Sequence, residues 1–405
     1  MARRVPQLRP GHHLQLLEGS REFFPALVAA VDAARAEVLL ETYIFDFTGS
    51  AAEVAYALER AARRGVLVHV VVDGYGTPDM PEAWQDRLDQ AGVQWLVYSR
   101  PGVLGLLMPG QWRRLHRKLC VVDGEIGFCG GINILDDYHD PNHGTLESPR
   151  LDFSLRVVGP LVAEMRATMM RQWLRIVALD KLKRARWTGA LELLRTVGMG
   201  RRPAEPVASH GEPNARAALL LRDNLRNRAA IERSYLRAIG HARQEIIIAN
   251  AYFVPGGRLR RALAGAAKRG VQVSLLLQGR YEYFMQYYAA RPVFGTLLAA
   301  GVQIHEYAPS FLHAKVAVID GHWATVGSSN LDPLSLLLAR EANVVVDDPR
   351  FAARLRKRLV QAMQLEGQPM DASAFGSRPP LQRAKEWLAL MIMRGALMIQ
   401  GKTYR

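Results

Sequence analysis

The sequence contains little cysteine and no long apolar run. Two cysteines in 405 residues, Cys120 and Cys129, are too few for a disulfide framework and lack the spacing of a metal-binding cluster. We therefore expect packed, unreactive thiols in a protein that works in a reducing, cytoplasmic setting. No stretch of about 18 or more apolar residues occurs, which argues against a membrane-spanning helix. The basic N-terminal segment has no apolar core, so it does not follow the pattern of a signal peptide.

Acidic residues are scarce relative to basic ones. The chain has 38 Asp and Glu against 53 Lys and Arg, and its formal net charge is +15. Such a surface attracts polyanions, either nucleic acid or an anionic lipid bilayer, and charge alone does not choose between them. If the partner is a membrane, a chain without a spanning helix must act from its surface.

The chain does have an internal duplication. Residues 116–133, HRKLCVVDGEIGFCGGIN, and residues 313–330, HAKVAVIDGHWATVGSSN, share one skeleton: His-x-Lys, four residues, Asp, six residues, Gly-x-x-Asn. Each copy follows a similar series of segments, with ARAEVLLETYIF and LERAARRGVLVHVVVDG before the first and ARQEIIIANAYFVPGG and LAGAAKRGVQVSLLLQG before the second. The order strand, helix, strand, helix, motif therefore occurs twice, which indicates two copies of one structural unit.

The pattern predicts an α/β fold. Runs such as VLVHVVV and VQVSLLL are almost wholly apolar, which is typical of strands covered on both faces in a largely parallel sheet. The segment 51–64 has apolar residues at helical spacing and ends before a glycine. We predict two similar α/β/α domains, mostly parallel sheets flanked by helices, over residues 1–205 and 206–375, with a basic and apolar tail over residues 376–405. The Pro-, Gly- and Ser-containing segment RRPAEPVASHGEP would link the two domains.

Strand geometry gathers three side chains of each motif. Residues two apart in a strand point to the same face, so His116 and Lys118 project together. The following Asp-Gly is a strong hairpin signal, and a second short strand returns Asn133 to the end of the sheet that holds the histidine. The second copy repeats this arrangement with His313, Lys315 and Asn330.

The gathered groups suit chemistry on a phosphodiester. Lysine and asparagine donate hydrogen bonds to phosphate oxygens, and an imidazole acts as a nucleophile or as a general acid and base. Double displacement at phosphorus needs a nucleophile on one side and a proton donor on the other. Two motifs facing each other across a pseudo-twofold axis would supply both, so we predict two half-sites in one active site.

At these motifs the chain resembles the phospholipase D superfamily, which is defined by paired HxKx4Dx6GxxN motifs. Within it the chain is most similar to bacterial cardiolipin synthases of the shorter type, which lack N-terminal membrane helices. The resemblance covers roughly residues 11–365 and includes RDNLRNRAAIERSYLRAI, IANAYFVPGG and VGSSNLDPLSLLLAREANVVV. It implies two similar domains whose motifs meet, and a catalytic set carried over from the motif letters: His116, Lys118, Asp123, His313, Lys315 and Asp320.

The resemblance also implies roles. One histidine attacks phosphorus and forms a phosphatidyl-histidine, and the other protonates the leaving group; His116 is the favoured nucleophile and His313 the favoured acid and base, with the reverse left open. The phosphate-binding residues would be Lys118, Lys315, Asn133 and Asn330, which would hold the phosphoryl oxygens. We expect a turn-fixing and salt-bridging role for the motif aspartates, although they belong to the motif.

The resemblance further implies a carboxylate about 25 to 40 residues beyond each motif histidine, which would orient its ring, and Asp152 and Glu341 occupy these places. Asp136 and Asp140 are alternatives to Asp152. The chemistry needs no metal and no other cofactor, and we interpret His139 and His143 as loop residues near a phosphate pocket.

Three stretches could contact lipid. The first is RPGVLGLLMPGQWRR at residues 100–114, either an interfacial loop or a buried segment. The second is YEYFMQYYAARPVF at residues 281–294, which either lines a headgroup channel or packs as a helix. The third is residues 383–405, apolar with basic ends, which form either a surface anchor or a packing helix.

The resemblance implies a cardiolipin synthase, peripheral on the cytoplasmic face of the bacterial cell membrane. It would transfer a phosphatidyl group onto the glycerol hydroxyl of phosphatidylglycerol, with phosphatidylglycerol or phosphatidylethanolamine as donor. The expected partner is an anionic phospholipid surface, with no nucleic acid and no obligate protein partner. A phospholipase D-type hydrolase is the alternative because the same residues serve it, and a nuclease is favoured by charge alone.

Overall fold

A computed structural model of the chain describes residues 7–100, 113–183, 215–223, 227, 229–280, 284–332 and 339–399. These residues form a mixed sheet flanked by helices, in two halves with one order of elements. The first half contains β1 (Arg9–Glu18), α1 (Gly19–Asp32), β2 (Glu37–Thr42), α2 (Ala52–Arg63), β3 (Leu67–Asp73), α3 (Glu82–Ala91), β4 (Gln94–Tyr98), β5 (Arg114–Leu115), β6 (Lys118–Val122), β7 (Ile126–Gly130), β8 (His139–Asp140), β9 (Gly144–Thr145), β10 (Phe153–Val158) and α4 (Leu161–Lys183).

The second half repeats this order and adds a C-terminal segment. It contains β11 (Ala215–Arg222), α5 (Ala230–His241), β12 (Glu245–Asn250), α6 (Gly257–Lys268), β13 (Gln272–Gln278), α7 (Phe284–Leu298), β14 (Gln303–Tyr307), β15 (Lys315–Ile319), β16 (Trp323–Gly327), β17 (Ala339–Asp347) and α8 (Pro349–Gln361), followed by β18 (Gly367–Pro369), α9 (Ala372–Gly376) and α10 (Pro380–Ile399). The predicted linker and the boundary at residue 205 lie outside the described residues.

One sheet runs through both halves, in the order β18-β14-β13-β12-β15-β16-β17-β11-β1-β10-β7-β6-β2-β3-β4. From the central β11–β1 pair outward, β11-β17-β16-β15-β12-β13-β14 on one side corresponds strand by strand to β1-β10-β7-β6-β2-β3-β4 on the other. Only β18 has no counterpart on this path. The halves are therefore related by a pseudo-twofold axis through that antiparallel pair. The predicted α/β class is confirmed.

Among the long strands, parallel pairing occurs in the outer part of each half. The trios β2-β3-β4 and β12-β13-β14 are parallel, whereas the strands between them are antiparallel. The expectation of mostly parallel sheets is thus wrong for the centre, because a tight turn can join only antiparallel strands.

Side-chain alternation explains why the strands are so apolar. Along β2, Val38 and Leu40 enter the core of the first half, whereas Leu39 faces a core shared by both halves. The shared core is covered by α4, through Met165 and Met169, and by the related helix α8. Both faces of the sheet are therefore buried, as the uninterrupted apolar runs predicted.

Several local predictions can be compared with the structure. The helix predicted over residues 51–64 is α2, and Gly65 follows it at φ +85°. Cys120 and Cys129 are free and buried, and burial raises the pKa of both thiols above the usual value. Among the described residues, no helix combines the length and hydropathy required to cross a bilayer. Of the first predicted lipid-contacting stretch, residues 101–112 lie outside the described residues.

The C-terminal helix α10 has two different faces. Ala389 and Leu390 are buried in the core of the second half, next to residues of α7 such as Val293. The opposite side exposes large apolar side chains, namely Leu381, Trp387, Leu388, Met391 and Ile392. The structure thus shows packing of one face, whereas the surface anchor stays a prediction for the open face.

Candidate active site

Each motif forms a β-hairpin that ends at the same edge of the sheet. In the first half β6 pairs with β7, and Lys118 lies opposite Gly130. The turn residues Asp123 and Gly124 have φ of +51° and +70°, the conformation that favours Asp-Gly in a tight hairpin turn. The β15–β16 hairpin repeats this arrangement with Asp320 and Gly321. The hairpins carry each lysine and asparagine back to the end where the histidine lies.

The motif aspartates lie at the other end of the hairpins, seven residues beyond the histidines and separated from them by a five-residue strand, which is about 16 Å long. The Asp123 carboxylate accepts hydrogen bonds from the backbone N–H groups of Arg35, Ala36 and Glu37, at 2.8–2.9 Å. Asp320 accepts the corresponding bonds from residues 243–245, at 2.9–3.0 Å. The aspartates therefore fix the loop that precedes the first strand of each half. These partners are backbone groups, so no salt bridge is involved.

Backbone pairing between the halves positions both histidines. The short strand β5 pairs in parallel with β17, and the His116 N–H donates to the Arg340 carbonyl at 3.0 Å. On the other side of the axis, Leu151 forms a bridge with Leu312, and the His313 N–H donates to the Leu151 carbonyl at 2.9 Å. Each histidine is thus held against the strand of the other half.

The two carboxylates are exchanged between the halves. His116 Nδ1 lies 3.1 Å from Glu341 Oε2, and His313 Nδ1 lies 2.6 Å from Asp152 Oδ2. The sequence pattern had paired each carboxylate with the histidine of its own half, and the structure corrects that pairing. The carboxylates are almost wholly buried, whereas the imidazole side chains keep 16% and 17% of their surface. The ring nitrogens opposite the carboxylates are therefore the ones left to face a substrate.

The alternatives to Asp152 bind elsewhere. Asp136 accepts hydrogen bonds from Ser50 and from the backbone of Tyr138. Asp140 pairs with Arg150 and with His143, at 3.0 Å each. Within the part of the chain that the structure describes, no group of three or more His, Cys, Asp and Glu side chains is placed to hold a metal ion.

The lysines and asparagines of both motifs are largely buried. Lys118 Nζ donates to the His116 carbonyl at 2.9 Å, and Lys315 donates to the His313 carbonyl. Burial and the charge of Lys315 lower the pKa of Lys118 to about 7. Asn133 accepts a hydrogen bond from the Ile44 N–H at 3.2 Å through its Oδ1, which directs its amide N–H groups elsewhere. Asn330 is likewise buried. A bound anion would relieve the repulsion between the two ammonium groups.

The two carboxylates differ in protonation. Burial raises the pKa of Asp152 to about 7, against the lowering effect of Lys315. Burial also acts on Glu341, but His116, Lys118 and Ser328 together outweigh it and lower its pKa. At the position of Ser328, whose hydroxyl donates to Glu341 at 2.5 Å, the first half has Gly131, which lies against the Asp152 carboxylate. A missing hydroxyl donor therefore contributes to the difference between the pairs.

Burial also lowers the pKa of both histidines. For His116 this effect is opposed by Glu341 and reinforced by Lys118. For His313 burial acts together with Lys315 and Lys118, and its pKa lies well below the usual value. Both imidazoles are therefore neutral near pH 7. A neutral imidazole is needed for nucleophilic attack and for accepting a proton.

Two residues next to the site were not identified by the sequence analysis. Ser328 is the second residue of GSSN, and its hydroxyl has no counterpart in the first copy of the motif. Tyr43 follows β2, and its ring centroid lies 5.0 Å from the imidazole of His116. The difference between GGIN and GSSN was the one available signal for Ser328, whereas nothing in the motif indicated Tyr43.

The arrangement can perform double displacement on a phosphodiester. It brings together two neutral imidazoles from opposite halves, each held by a buried carboxylate of the other half. The two motif lysines donate to the backbone carbonyls of these histidines. Either half alone has a histidine without its carboxylate.

Comparisons with known proteins find a matching family model and similar relatives. The family model described as "Cardiolipin synthase, PLD-like domain" matches residues 27–146 and 235–363. Cardiolipin synthase B of Salmonella typhi is 37% identical over 397 residues, covering 95% of this chain and 89% of the relative. Cardiolipin synthase B of Escherichia coli strain K12 is 36% identical over 387 residues, with the same coverage.

Solved structures share the fold. Phosphatidylserine synthase from Haemophilus influenzae superposes with a TM-score of 0.68 at 13% identity, covering 98% of this chain and 97% of that one. Polyphosphate kinase from Porphyromonas gingivalis gives a TM-score of 0.55 at 14% identity, over 94% of this chain and 53% of that one. At such low identity these likenesses concern architecture only.

Proposed function

The chain belongs to the cardiolipin synthases of the phospholipase D superfamily, and we propose that it transfers a phosphatidyl group onto the glycerol hydroxyl of phosphatidylglycerol. The observation that carries this proposal is the pair of imidazoles in one site, each oriented by the buried carboxylate of the other half. Such a pair supplies a nucleophile and a proton donor on opposite sides of one phosphorus atom.

In the first step we assign the attack to His116. The ionised Glu341 accepts the Nδ1–H of this ring, which leaves the Nε2 lone pair for phosphorus. The new bond joins Nε2 to phosphorus, and the bond from phosphorus to the headgroup oxygen breaks. The leaving oxygen takes a proton from Nε2 of His313, so that glycerol leaves if phosphatidylglycerol is the donor and ethanolamine leaves if phosphatidylethanolamine is.

The protonation of Asp152 explains why His313 suits the acid role. When Asp152 is protonated, its O–H donates to Nδ1 of His313, and the proton of the neutral ring must then lie on Nε2, facing the substrate. As Nε2 gives up this proton, the proton of Asp152 moves to Nδ1. The two pairs thus hold opposite tautomers, which matches the nucleophile and acid roles.

The second step reverses the first. The glycerol hydroxyl of the acceptor gives its proton to Nε2 of His313, its oxygen bonds to phosphorus, and the bond between phosphorus and His116 breaks. Lys118, Lys315, Asn133 and Asn330 would hold the non-bridging oxygens in both steps. Water in place of the acceptor gives phosphatidic acid, so the outcome depends on which hydroxyl occupies the acceptor position.

Purified protein mixed with vesicles of labelled phosphatidylglycerol tests the proposal. We expect labelled cardiolipin and one released glycerol per cardiolipin, with ethanolamine released instead if added phosphatidylethanolamine serves as donor. Thin-layer chromatography with mass spectrometry measures each product. Phosphatidic acid as the sole lipid product would identify a hydrolase, and cleavage of DNA without any lipid product would exclude both lipid activities.

We propose that the open face of α10 is the surface by which the protein docks on a bilayer. At 3.6 residues per turn, the exposed apolar side chains of this helix lie within an arc of about 140°. Arg383 borders the arc on one side and Lys385 on the other, and both are exposed. An apolar stripe with cationic borders fits the interface of an anionic membrane.

Replacing two residues of this stripe by glutamate should release the protein from vesicles. Leu388 and Ile392 are 62% and 52% exposed, so Leu388→Glu/Ile392→Glu should fold normally. We expect its partition onto phosphatidylglycerol vesicles to fall at least about tenfold. Two apolar groups that insert into the bilayer are lost, and the two added glutamates are repelled by the negatively charged lipid. Flotation of vesicles on a density gradient measures the bound fraction.

The matched control for this experiment is Leu365→Glu. Leu365 is also apolar and exposed, at 76%, but lies outside α10. Its variant should bind vesicles as the parent protein does. Equal loss in both variants would mean that general surface charge, and not this face, determines docking.

A further inference from the structure

The second half contains an open pocket beside the active site. It is lined by residues of three segments at the ends of β12 and β13 and along α7: Ala251, Tyr252, Gln278, Arg280, Tyr287 and Arg291. Gln278 connects it to the catalytic motif, because its Oε1 accepts the N–H of Leu312 at 2.8 Å, one residue before His313. A molecule in this pocket would therefore lie next to the imidazole that takes the acceptor proton.

Two residues that line this pocket, Gln278 and Arg280, carry hydrogen-bond donors. Since the Oε1 of Gln278 is used by Leu312, the amide nitrogen is the remaining group, and it is buried without a hydrogen-bond partner. Arg280 is held through Nε and Nη2 by the carbonyls of Ala308 and Pro309, at 3.0 and 2.7 Å. These two carbonyls are neutral, so they do not balance the charge of Arg280. Arg291 differs, because it pairs with Glu306 at 2.7 Å.

Three positions of the first half that are equivalent to pocket residues carry different side chains. Asp73 ends β3 as Gln278 ends β13, and its carboxylate accepts the Leu115 N–H at 2.6 Å, one residue before His116. An amide in this place keeps a donor that a carboxylate does not have. Two residues further on, Tyr75 stands where the second half has Arg280.

The third position determines how much volume is open next to the motif histidine. Tyr43 follows β2 and packs 5.0 Å from the ring of His116, whereas the corresponding residue after β12 is Ala251, which lines the pocket. The small side chain leaves open the volume that an aromatic ring occupies in the first half. Together the exchanges replace a carboxylate and two tyrosines by an amide, an arginine and an alanine, so the second half gains room, donors and positive charge.

We infer that this pocket binds the phosphate and glycerol of the acceptor phospholipid. This inference rests on the proposed function, since it names the occupant as the acceptor. An acceptor phosphatidylglycerol carries its own phosphate close to the attacking hydroxyl, and a site that selects it over water must recognise that charge. Arg280 and the amide of Gln278 would hold the phosphate oxygens, while the aromatic walls cover the glycerol carbons. The anchored hydroxyl then reaches Nε2 of His313.

Two substitutions should change the ratio of transfer to hydrolysis. Arg280→Gln removes the charge, and Gln278→Glu keeps the oxygen that binds Leu312 while it replaces the donor by a carboxylate oxygen. We expect each to lower the ratio of cardiolipin to phosphatidic acid on the order of tenfold to a hundredfold, because a charged hydrogen bond to the acceptor is lost. The KM for acceptor phosphatidylglycerol should rise. The control Arg261→Gln removes an exposed charge from the same half and should leave the ratio unchanged.

Parallel loss of transfer and hydrolysis in these variants would overturn the inference. A separate measurement does not depend on turnover: calorimetric titration of short-chain phosphatidylglycerol into His116→Ala protein. We expect His116→Ala to bind two equivalents of lipid per chain, one at the catalytic phosphate site and one in the pocket. The double variant His116→Ala/Arg280→Gln should bind one equivalent. One equivalent in both proteins would exclude the pocket, whereas a parent enzyme that makes no cardiolipin would refute only the proposed function.

Discussion

His116→Ala should abolish turnover, with a loss of at least about 10⁴-fold in kcat. The alanine removes the atom that bonds to phosphorus and leaves Glu341 buried without its imidazole partner. His313→Ala should cause a comparable loss for natural lipids, because neither a glycerol nor an ethanolamine alkoxide leaves without a proton. Release of labelled headgroup from phosphatidylglycerol measures both variants.

The two variants should differ with a donor that needs no acid. A phosphatidyl p-nitrophenol releases a stable phenolate, so His313→Ala should still form the covalent intermediate, whereas His116→Ala should not. Denaturation with detergent at neutral pH, which spares the acid-labile bond between nitrogen and phosphorus, followed by mass spectrometry of peptides locates the phosphatidyl group. Finding it on His313 would reverse the assignment, and near-full activity of either variant would refute the shared site. His322→Ala, which removes a histidine exposed at 56%, is the control.

Much of this site followed from the sequence because the motif is local. The strand period of two places His116 beside Lys118, and the Asp-Gly turn returns Asn133, all within one hairpin. The periodicity also indicated the α/β class. The mixed pairing of the sheet was missed because apolar strands buried on both faces look alike whether their neighbours are parallel or antiparallel.

The exchange of carboxylates could not be predicted for a different reason. It depends on β5 pairing with β17 and on the bridge between Leu151 and Leu312, contacts between segments far apart in the chain. Distance along the sequence pointed instead to pairing within each half. The pocket beside His313 has the same origin, since Gln278 is polar at the end of an apolar strand but only its bond to Leu312 connects it to the motif.

The exchanged carboxylates yield a second large effect, expected for Glu341→Gln. Glu341 holds its charge through His116, Lys118 and Ser328, and this charge keeps the proton of His116 on Nδ1. A glutamine can offer its N–H to Nδ1 instead, which would place the ring proton on Nε2 and remove the nucleophile. We expect formation of the intermediate to slow by about 10³- to 10⁴-fold, as for a catalytic histidine held in the wrong tautomer.

Asp152→Asn should slow the second step, transfer to the acceptor, more than formation of the intermediate. Asparagine imitates a protonated aspartate in keeping the proton of His313 on Nε2, but it has no proton to pass to Nδ1, so release of an alkoxide should also slow. With phosphatidyl p-nitrophenol, whose phenolate leaves without a proton, Asp152→Asn should preserve the first step and Glu341→Gln should not. Acceptance of the acceptor's proton, which needs a carboxylate to stabilise the imidazolium, should become slow, and the phosphatidyl-enzyme should accumulate. Quenched-flow measurement of the intermediate separates the two variants, and equal loss of the first step in both would contradict the asymmetry.

The pH dependence of the first step provides the final test of this asymmetry. With a pKa of about 7, Asp152 loses its proton as the pH rises through neutrality, the ring proton of His313 moves to Nδ1, and the acid is lost. Intermediate formation from phosphatidylglycerol should therefore decline above about pH 7. Lys118 also has a pKa of about 7 in the free protein, but a bound phosphodiester stabilises its charged form, so single turnovers at saturating donor report Asp152. The decline should disappear in Asp152→Asn, and its persistence there would assign it to another group.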